Sequence, residues 1–309
     1  MLGLDDLMHE SDLRGLSPIK ARARVAREVA LATAAPPPGV SVSDHRFISE
    51  GHELGARLYV PERLETPSPA LVYIHGGGWV TGDLDTHDAL CQRLAAVGRV
   101  RVVSLEYRLA PEHPFPAAVL DAHAGFRWVA SVADELGIDR RRIAIGGDSA
   151  GGNLSAVVSL RSRSDPVRPA LQVPLYAAFD ASCSMPSHAL MGDRWFLTSP
   201  MVAWYYGHYL GEDAALRKHP DVSPLAAADV SGTPAALIYI AHFDTLRDEA
   251  LAYAERLRAA SVPVRVRVYG SLIHGFLLMT ELSGAASEAT DEIAREIGDT
   301  LRGTLSGFP

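Results

Sequence analysis

A serine set between glycines is the first feature of this sequence that could do chemistry. Ser149 lies in the stretch GGDSAGGN, residues 146–153, between an apolar run typical of a strand and a pattern typical of a helix. Gly147 and Gly151 complete a G-x-S-x-G, which is typical of a strained strand-to-helix turn that exposes the serine hydroxyl. The start of the helix would place a positive dipole end where an oxyanion forms. The pattern predicts a nucleophile at Ser149, and a glycine turn with an incidental serine is the alternative.

A second glycine cluster could supply hydrogen bonds to that oxyanion. HGGG, residues 75–78, directly follows the apolar run ALVYIH at 70–75. Residues without side chains let backbone N–H groups come close to a carbonyl oxygen. A phosphate-binding loop does not fit, because no Lys-Ser/Thr follows and the spacing is not G-x-G-x-x-G. Trp79, beside these glycines, is a candidate substrate contact.

A serine hydroxyl needs a base, and the expected base is a histidine further along the chain. His274 lies in GSLIHGF, in a loop that directly follows the last apolar run. The other histidines after the serine are His188, His208, His219 and His242. His208 falls within a helical pattern and His242 within a strand pattern, so His274 is the predicted base.

Two aspartates compete for the role of the acid that orients this histidine. Asp244 ends AALIYIAHFD and Asp180 ends LQVPLYAAFD, both at the carboxyl ends of predicted strands. Asp244 follows the penultimate strand, which leaves one helix and one strand before His274, so we favour it over Asp180. Asp248 fits better as a charge in the first turn of the next helix.

These candidates need a scaffold that brings them together. Six apolar runs indicate strands, and helical patterns separate most of them: the runs are residues 70–75, 100–107, 142–146, 171–179, 235–243 and 264–270. Strands that alternate with helices predict an α/β fold whose mostly parallel central sheet is covered by helices on both faces. Active sites of such sheets lie beyond the carboxyl ends of the strands.

Composition narrows the classes of protein further. The chain has 309 residues and a formal net charge of −8, so we expect one globular domain over residues 1–309 that binds neither nucleic acid nor an anionic membrane. Cys91 and Cys183 form neither a disulfide framework nor a metal-ligand spacing, and we expect no metal and no cofactor. The acidic N-terminus and the lack of a run of ~20 apolar residues predict no signal peptide and no membrane span. The expected compartment is the cytoplasm.

Several motifs together resemble a known family. HGGGW, EYRLAPEHPFPAA (106–118), GDSAGGN, SPLAA (223–227), FDTLRDEA (243–250) and IHGF (273–276) are similar, in sequence order, to the bacterial hormone-sensitive-lipase family of α/β-hydrolase carboxylesterases. The resemblance runs from about residue 40 onward and implies the α/β-hydrolase fold.

The resemblance also implies roles for individual residues. The family's nucleophile, acid and base correspond to Ser149, Asp244 and His274. Its oxyanion donors correspond to the backbone amides of Gly77, Gly78 and Ala150. Thr245 stands where the family often has proline, a difference that should leave the acid undisturbed.

The family further implies a helical cap, here residues 1 to about 40 and about 181 to 215. The second piece independently predicts a helix with Ser199 as N-cap, Pro200 in the first turn and Gly211 after the end. Its aromatic residues are candidates either to line an acyl or alcohol pocket or to pack the cap on the body: they are Trp195, Phe196, Trp204, Tyr205, Tyr206 and Tyr209.

The favoured function is hydrolysis of short- to medium-chain acyl esters, small-molecule substrates, through a covalent acyl-enzyme. A deacetylase, an amidase or a lipase of the same fold is the first alternative. A ligand-binding protein, like the plant gibberellin receptors that lack the family's base, is the second, and His274 counts against it. The resemblance also allows a homodimer, because some relatives dimerise through the last strand and helix. Residues 262–270 (VPVRVRVYG) could serve in this way or could equally form an ordinary edge strand guarded by arginines.

Overall fold

A computed structural model describes residues 13–303 of the protein. In this part of the chain eight strands form one sheet. They are β1 (Val40–Ser49), β2 (His52–Pro61), β3 (Ser68–Ile74), β4 (Arg101–Leu105), β5 (Ile138–Asp148), β6 (Leu171–Leu175), β7 (Ala235–Phe243) and β8 (Val264–Ile273).

The strand order across the sheet is β1-β2-β4-β3-β5-β6-β7-β8. From β4 to β8 every neighbouring pair is parallel, whereas β2 is antiparallel to both β1 and β4. The predicted mostly parallel α/β sheet is therefore confirmed. The β1–β2 hairpin was not among the predicted strands. It turns at Glu50 and Gly51, whose φ angles of 48° and 79° suit a tight two-residue hairpin turn.

Eight α-helices accompany the sheet within residues 13–303. They are α1 (Pro18–Ala32), α2 (Asp88–Gly98), α3 (Ala117–Ser131), α4 (Ala150–Arg161), α5 (Pro186–Met191), α6 (Ser199–Leu210), α7 (Arg247–Ala259) and α8 (Gly284–Arg302).

Helices cover both faces of the sheet, as predicted, and alternation along β3 illustrates why. Val72 and Ile74 point into one hydrophobic cluster, which includes side chains of α3 and α4. Leu71 and Tyr73 point into another, which α2 and α8 complete. Successive side chains of a strand face opposite sides of the sheet, so a strand that is apolar at every position is buried on both.

The helix expected within residues 181–215 is α6, but the predicted N-cap Ser199 is wrong by one residue. Thr198 is the N-cap, and its side chain accepts a hydrogen bond from the backbone N–H of Met201 at 3.4 Å. Ser199 is already helical, and its hydroxyl donates instead to the carbonyl oxygen of His188 at 2.9 Å. Gly211 ends the helix with a φ of 65°, as expected of a residue that tolerates positive φ.

The state of the cysteines and the character of the helices can be read from residues 13–303. Neither cysteine forms a disulfide: Cys91 is buried, Cys183 is half-buried, and both are free. Among the helices described here, none has the combined length and apolar character needed to cross a bilayer.

Candidate active site

Ser149 lies on a strained turn between β5 and α4. Its φ and ψ are 53° and −117°, a region that side chains other than glycine rarely adopt. Its backbone N–H donates to the carbonyl oxygen of Leu175 at 2.8 Å, which ties the turn to the end of β6. A Cβ atom on Gly147 or Gly151 would overlap the carbonyl oxygen of Ile74. The two glycines of the G-x-S-x-G motif therefore let the chain pass close enough to β3 for this turn to form.

A continuous chain of hydrogen bonds joins Ser149, His274 and Asp244. The Nε2 atom of His274 lies 3.0 Å from Oγ of Ser149, and its Nδ1 atom lies 2.8 Å from Oδ2 of Asp244. The other carboxylate oxygen of Asp244 accepts the backbone N–H of Leu246 at 2.9 Å. Because Asp244 and His274 are both buried, these contacts form largely away from bulk water.

Asp180, the other candidate acid, lies elsewhere. Its two carboxylate oxygens accept the backbone N–H and the hydroxyl of Ser182, at 2.9 and 2.7 Å. The structure thus brings Asp244, and not Asp180, to the histidine.

The HGGG loop turns sharply beside the serine. Gly77 and Gly78 have φ angles of 114° and 59°. The carbonyl oxygen of Gly77 accepts the backbone N–H of Thr81 at 2.9 Å. A Cβ on Gly77 would overlap the Thr81 carbonyl, and one on Gly78 would overlap the ring of Tyr205. Both glycines line the same cavity as Ser149, and so does Ala150, the first residue of α4.

Asp148, which sequence reasoning passed over, connects the serine turn to the HGGG loop. Its Oδ1 atom accepts the hydroxyl of Tyr73 and the backbone N–H of Gly76, each at 2.8 Å, and lies 3.2 Å from Nε2 of His87. Burial raises the pKa of this carboxyl, but the neighbouring His87 ring and the hydrogen bond from Tyr73 outweigh burial and lower it overall. The position before the nucleophile is thus occupied by an ionised carboxylate that fixes the start of the loop.

His75, the first residue of HGGG, contacts the backbone of the loop through its side chain. Its ring stacks on Tyr107 with centroids 4.2 Å apart, and its Nδ1 atom lies 2.8 Å from the carbonyl oxygen of Gly76. Burial lowers the pKa of His75 to about 4, so the ring is neutral at neutral pH. A neutral ring with its proton on Nδ1 can donate to that carbonyl. His75 is therefore a support of the loop's backbone.

A cavity of about 150 Å³ opens onto Ser149 and His274, and its walls are mostly apolar. Three stretches outside the strands contribute most of the wall: α1, residues 196–206, and residues 275–282. A mostly apolar cavity with a few polar groups at one place is the usual form of a small-molecule site.

The candidate aromatic residues divide between wall and packing. Phe196, Tyr205 and Tyr206 line the cavity. The other three pack on neighbours: Trp195 on Phe243, Trp204 on His208 and Tyr209 on Trp79. Trp79 itself lines the cavity while its ring lies flat on Tyr209, with centroids 4.4 Å apart and an angle of 4° between planes.

A second acidic residue that sequence reasoning missed, after Asp148, lies on the cavity wall. Glu28 of α1 lines the cavity, and its Oε1 atom accepts the Nε proton of Arg24 at 2.8 Å. Val25, Val29 and Ala32 line the cavity from the same helix. The spacing 25, 28, 29, 32 follows one face of a helix, so this pattern could have placed Glu28 on the apolar face of α1.

Comparison with known proteins identifies the family of the chain. A family model described as the alpha/beta hydrolase fold matches residues 71–278. The fold and the site thus define an α/β hydrolase, and the chain belongs to that family, among its carboxylesterases of the hormone-sensitive-lipase type.

Individual relatives point to ester hydrolysis. The chain is 42% identical over 300 residues to the carboxylic ester hydrolase LipN of Mycobacterium tuberculosis, covering 95% of this chain and 78% of LipN. It is 40% identical over 248 residues to an ethyl acetate hydrolase of Pseudomonas putida, covering 79% and 76%. The solved ester hydrolase EH1AB1 from the metagenome of Lake Arreo superposes with a TM-score of 0.91 at 37% identity, covering 94% and 93%. The protein is a carboxylic ester hydrolase of the serine type.

Proposed function

We propose that the protein hydrolyses short- to medium-chain acyl esters with Ser149 as nucleophile, His274 as general base and acid, and Asp244 as the orienting carboxylate. One observation carries the proposal: the unbroken chain of hydrogen bonds through these residues, at a cavity with mostly apolar walls. A serine next to a base that is itself oriented by a third group is the arrangement of an activated nucleophile.

The reaction proceeds in two halves. Nε2 of His274 takes the proton of Ser149 as Oγ bonds to the ester carbonyl carbon, and the imidazolium then returns this proton to the leaving alcohol as the ester C–O bond breaks. The acyl group remains on Ser149. Water repeats the sequence, losing a proton to His274 and releasing the carboxylic acid as Oγ regains its proton. Asp244 stays ionised and stabilises the imidazolium in both halves.

The negative charge on the tetrahedral oxygen is assigned to three backbone N–H groups, those of Gly77, Gly78 and Ala150. Donors that are already fixed cost no reorganisation when the charge develops, and a single one is worth about 10²–10³ in turnover in comparable sites. The bond from Gly76 to Asp148 supports this assignment, because it holds the first turn of the loop in place.

The chain-length preference rests on a cap. We assign residues 1 to about 40 and about 181 to 215 to that cap, of which residues 1–12 lie outside the described residues. Wall side chains from α1 and from residues 196–206 support the assignment. A roof of packed side chains closes the acyl pocket at a finite length, which favours an esterase over a lipase that accepts long chains.

Covalent labelling tests the proposal directly. A fluorophosphonate should add one phosphonyl group, located by peptide mass spectrometry on Ser149, and Ser149→Ala should abolish both labelling and hydrolysis of p-nitrophenyl butyrate. Ser155→Ala is the matched control. Ser155 is a buried serine of α4, and its hydroxyl donates to the carbonyl oxygen of Gly152 at 2.8 Å. Label on another residue, or activity above about a hundredth of wild type in Ser149→Ala, would overturn the assignment.

A further inference from the structure

The short helix α5 is bound to the turn that carries Asp244. Ser187 of this helix is fully buried. Its hydroxyl donates to the carbonyl oxygen of Thr245 at 2.6 Å and accepts the backbone N–H of Asp248 at 3.2 Å. Its own backbone N–H donates to Oδ2 of Asp248 at 2.9 Å. One serine of the second cap segment therefore makes three hydrogen bonds to residues 245–248, directly after the acid.

His188, the next residue of α5, adds a second contact between this helix and the first turn of α7; we call these contacts together the junction. Nε2 of His188 lies 3.2 Å from Oε1 of Glu249, a carboxyl with no exposed surface. The other oxygen of Glu249 accepts the backbone N–H groups of Phe179 and Asp180, each at 2.5 Å. Three segments meet at this carboxyl: α5, the loop after β6, and the first turn of α7. A buried carboxyl that accepts several hydrogen bonds is costly to disturb.

The orientation of Asp244 depends on this turn. Its Oδ1 atom accepts the backbone N–H of Leu246, and its carbonyl oxygen accepts the N–H of Arg247 at 3.2 Å. Asp244 is thus held from β7 on one side and by residues 246 and 247 on the other. Thr245, which lies between them, is fully buried, and its carbonyl group is the one that Ser187 holds.

We propose that Ser187 is a positioning residue for the reaction: by anchoring the turn at residues 245–248, it directs the carboxylate of Asp244 towards Nδ1 of His274. The second cap segment then acts on the chemistry as well as on access to the cavity. The inference rests on the proposed catalytic role of Asp244. Among the described residues that line the cavity Ser187 does not appear, so its effect should fall on turnover and not on substrate binding.

Removal of the hydroxyl gives the first test. Ser187→Ala leaves the Thr245 carbonyl and the Asp248 N–H without this partner in a buried place. A displacement of a catalytic group by about 1 Å can cost about 100-fold, so we expect kcat for p-nitrophenyl butyrate to fall about tenfold to 100-fold while KM changes by less than about twofold. Ser199→Ala is the matched control. Ser199 is not among the described residues of the 196–206 stretch that line the cavity. Its hydroxyl donates to the carbonyl oxygen of His188 in the same cap segment and not to the turn after Asp244, so kcat should stay within about twofold.

A double-mutant cycle separates positioning from general loosening of the protein. If Ser187 acts through the Asp244 carboxylate, S187A should lose most of its effect in the D244N background, where that carboxylate is already gone. An equal fold loss of kcat in both backgrounds would overturn the inference and leave a structural role only. Failure of the proposed function would look different, because D244N by itself would then retain nearly full activity.

Folding is checked by thermal unfolding of each variant. If S187A shows no cooperative transition, Asp248→Asn takes its place in the same cycle, because it weakens the junction from the other side at the bond to the Ser187 N–H. The criterion is unchanged: a kcat loss that disappears in the D244N background supports the inference, and a loss that persists there overturns it.

Discussion

Asp244 and His274 lie 2.8 Å apart, Oδ2 to Nδ1, although 30 residues separate them in the chain. The register of the sheet explains the contact. Phe243 and Ile273, the residues directly before them, are paired partners on the neighbouring parallel strands β7 and β8. Parallel strands end at the same edge of a sheet, so residues that follow paired positions emerge side by side.

The register leads to a prediction about the acid. Asp244→Asn should lower kcat about 10⁴-fold, because the imidazole of His274 loses the partner that sets its tautomer and stabilises its charge. Asp180→Asn should stay near wild type, because within residues 13–303 the hydrogen bonds of the Asp180 carboxylate go to Ser182 alone. Steady-state kinetics with one p-nitrophenyl ester measures both. The reverse result would assign the acid to the loop after β6.

A second prediction concerns the length of the acyl chain. Each added methylene should improve kcat/KM by up to about 0.8 kcal/mol while it finds apolar wall, and beyond the end of the cavity it must displace packed side chains at a cost of about 1–3 kcal/mol. For p-nitrophenyl esters we expect a maximum at about four to eight acyl carbons, the range implied by the family resemblance, and a fall of at least about tenfold by about sixteen. Palmitate esters cleaved as well as butyrate esters would contradict a closed pocket and indicate a lipase.

Glu28 leads to a prediction about charge. The carboxylate of Glu28 should repel an ester that carries a free carboxylate, so mono-p-nitrophenyl glutarate should react more slowly than the neutral pentanoate ester. The pair with Arg24 and the partial exposure of Glu28 weaken this effect, and we expect Glu28→Gln to narrow the ratio of the two kcat/KM values about threefold to tenfold. Glu281→Gln, an exposed carboxylate beside the wall residue Leu282, is the control. A ratio unchanged by Glu28→Gln would mean that this carboxylate does not face the substrate.

Asp148 leads to a prediction about acid stability. The pKa of its carboxyl is lowered in the folded protein, so folding favours the ionised form. The resulting stabilisation is complete above the unfolded-chain value of about 3.9 and is lost as the pH falls through the lower folded-state value. The free energy of unfolding in urea should therefore fall less steeply below about pH 4 in Asp148→Asn than in wild type. Asp180→Asn, which leaves this network intact, should keep the wild-type slope, and an equal slope in Asp148→Asn would contradict the prediction.

Short sequence motifs were enough to predict the parts of the site that depend on local backbone geometry. A strained turn at Ser149 requires glycine at 147 and 151, so the motif is visible in the chain itself. The β1–β2 hairpin was not predicted from the sequence, because β1 is mostly exposed and contains few apolar residues. Its clearest signal was Glu50-Gly51, a turn pair between two alternating runs.

Long-range partners could not be predicted in the same way. Ser187 contacts residues about 60 positions away in the chain, 61 for Asp248, and nothing in its neighbourhood marks it as different from other serines in a polar stretch. Asp148 stands inside a motif, but its partners Tyr73 and His87 become visible only when β3 lies beside β5. Such contacts follow from topology and register, which composition and periodicity do not specify.

The division of the site between strand ends and cavity wall has an evolutionary consequence. Ser149, Asp244 and His274 follow strands of the sheet, whereas much of the wall belongs to α1 and α6, which carry none of them. Substitutions in those two helices can change which esters fit without altering the bond-breaking machinery. Paralogues of this gene are therefore expected to diverge first at positions such as Val25, Val29 and Met201. A directed-evolution library confined to these positions should yield variants with altered ester selectivity, and few of them should be inactive.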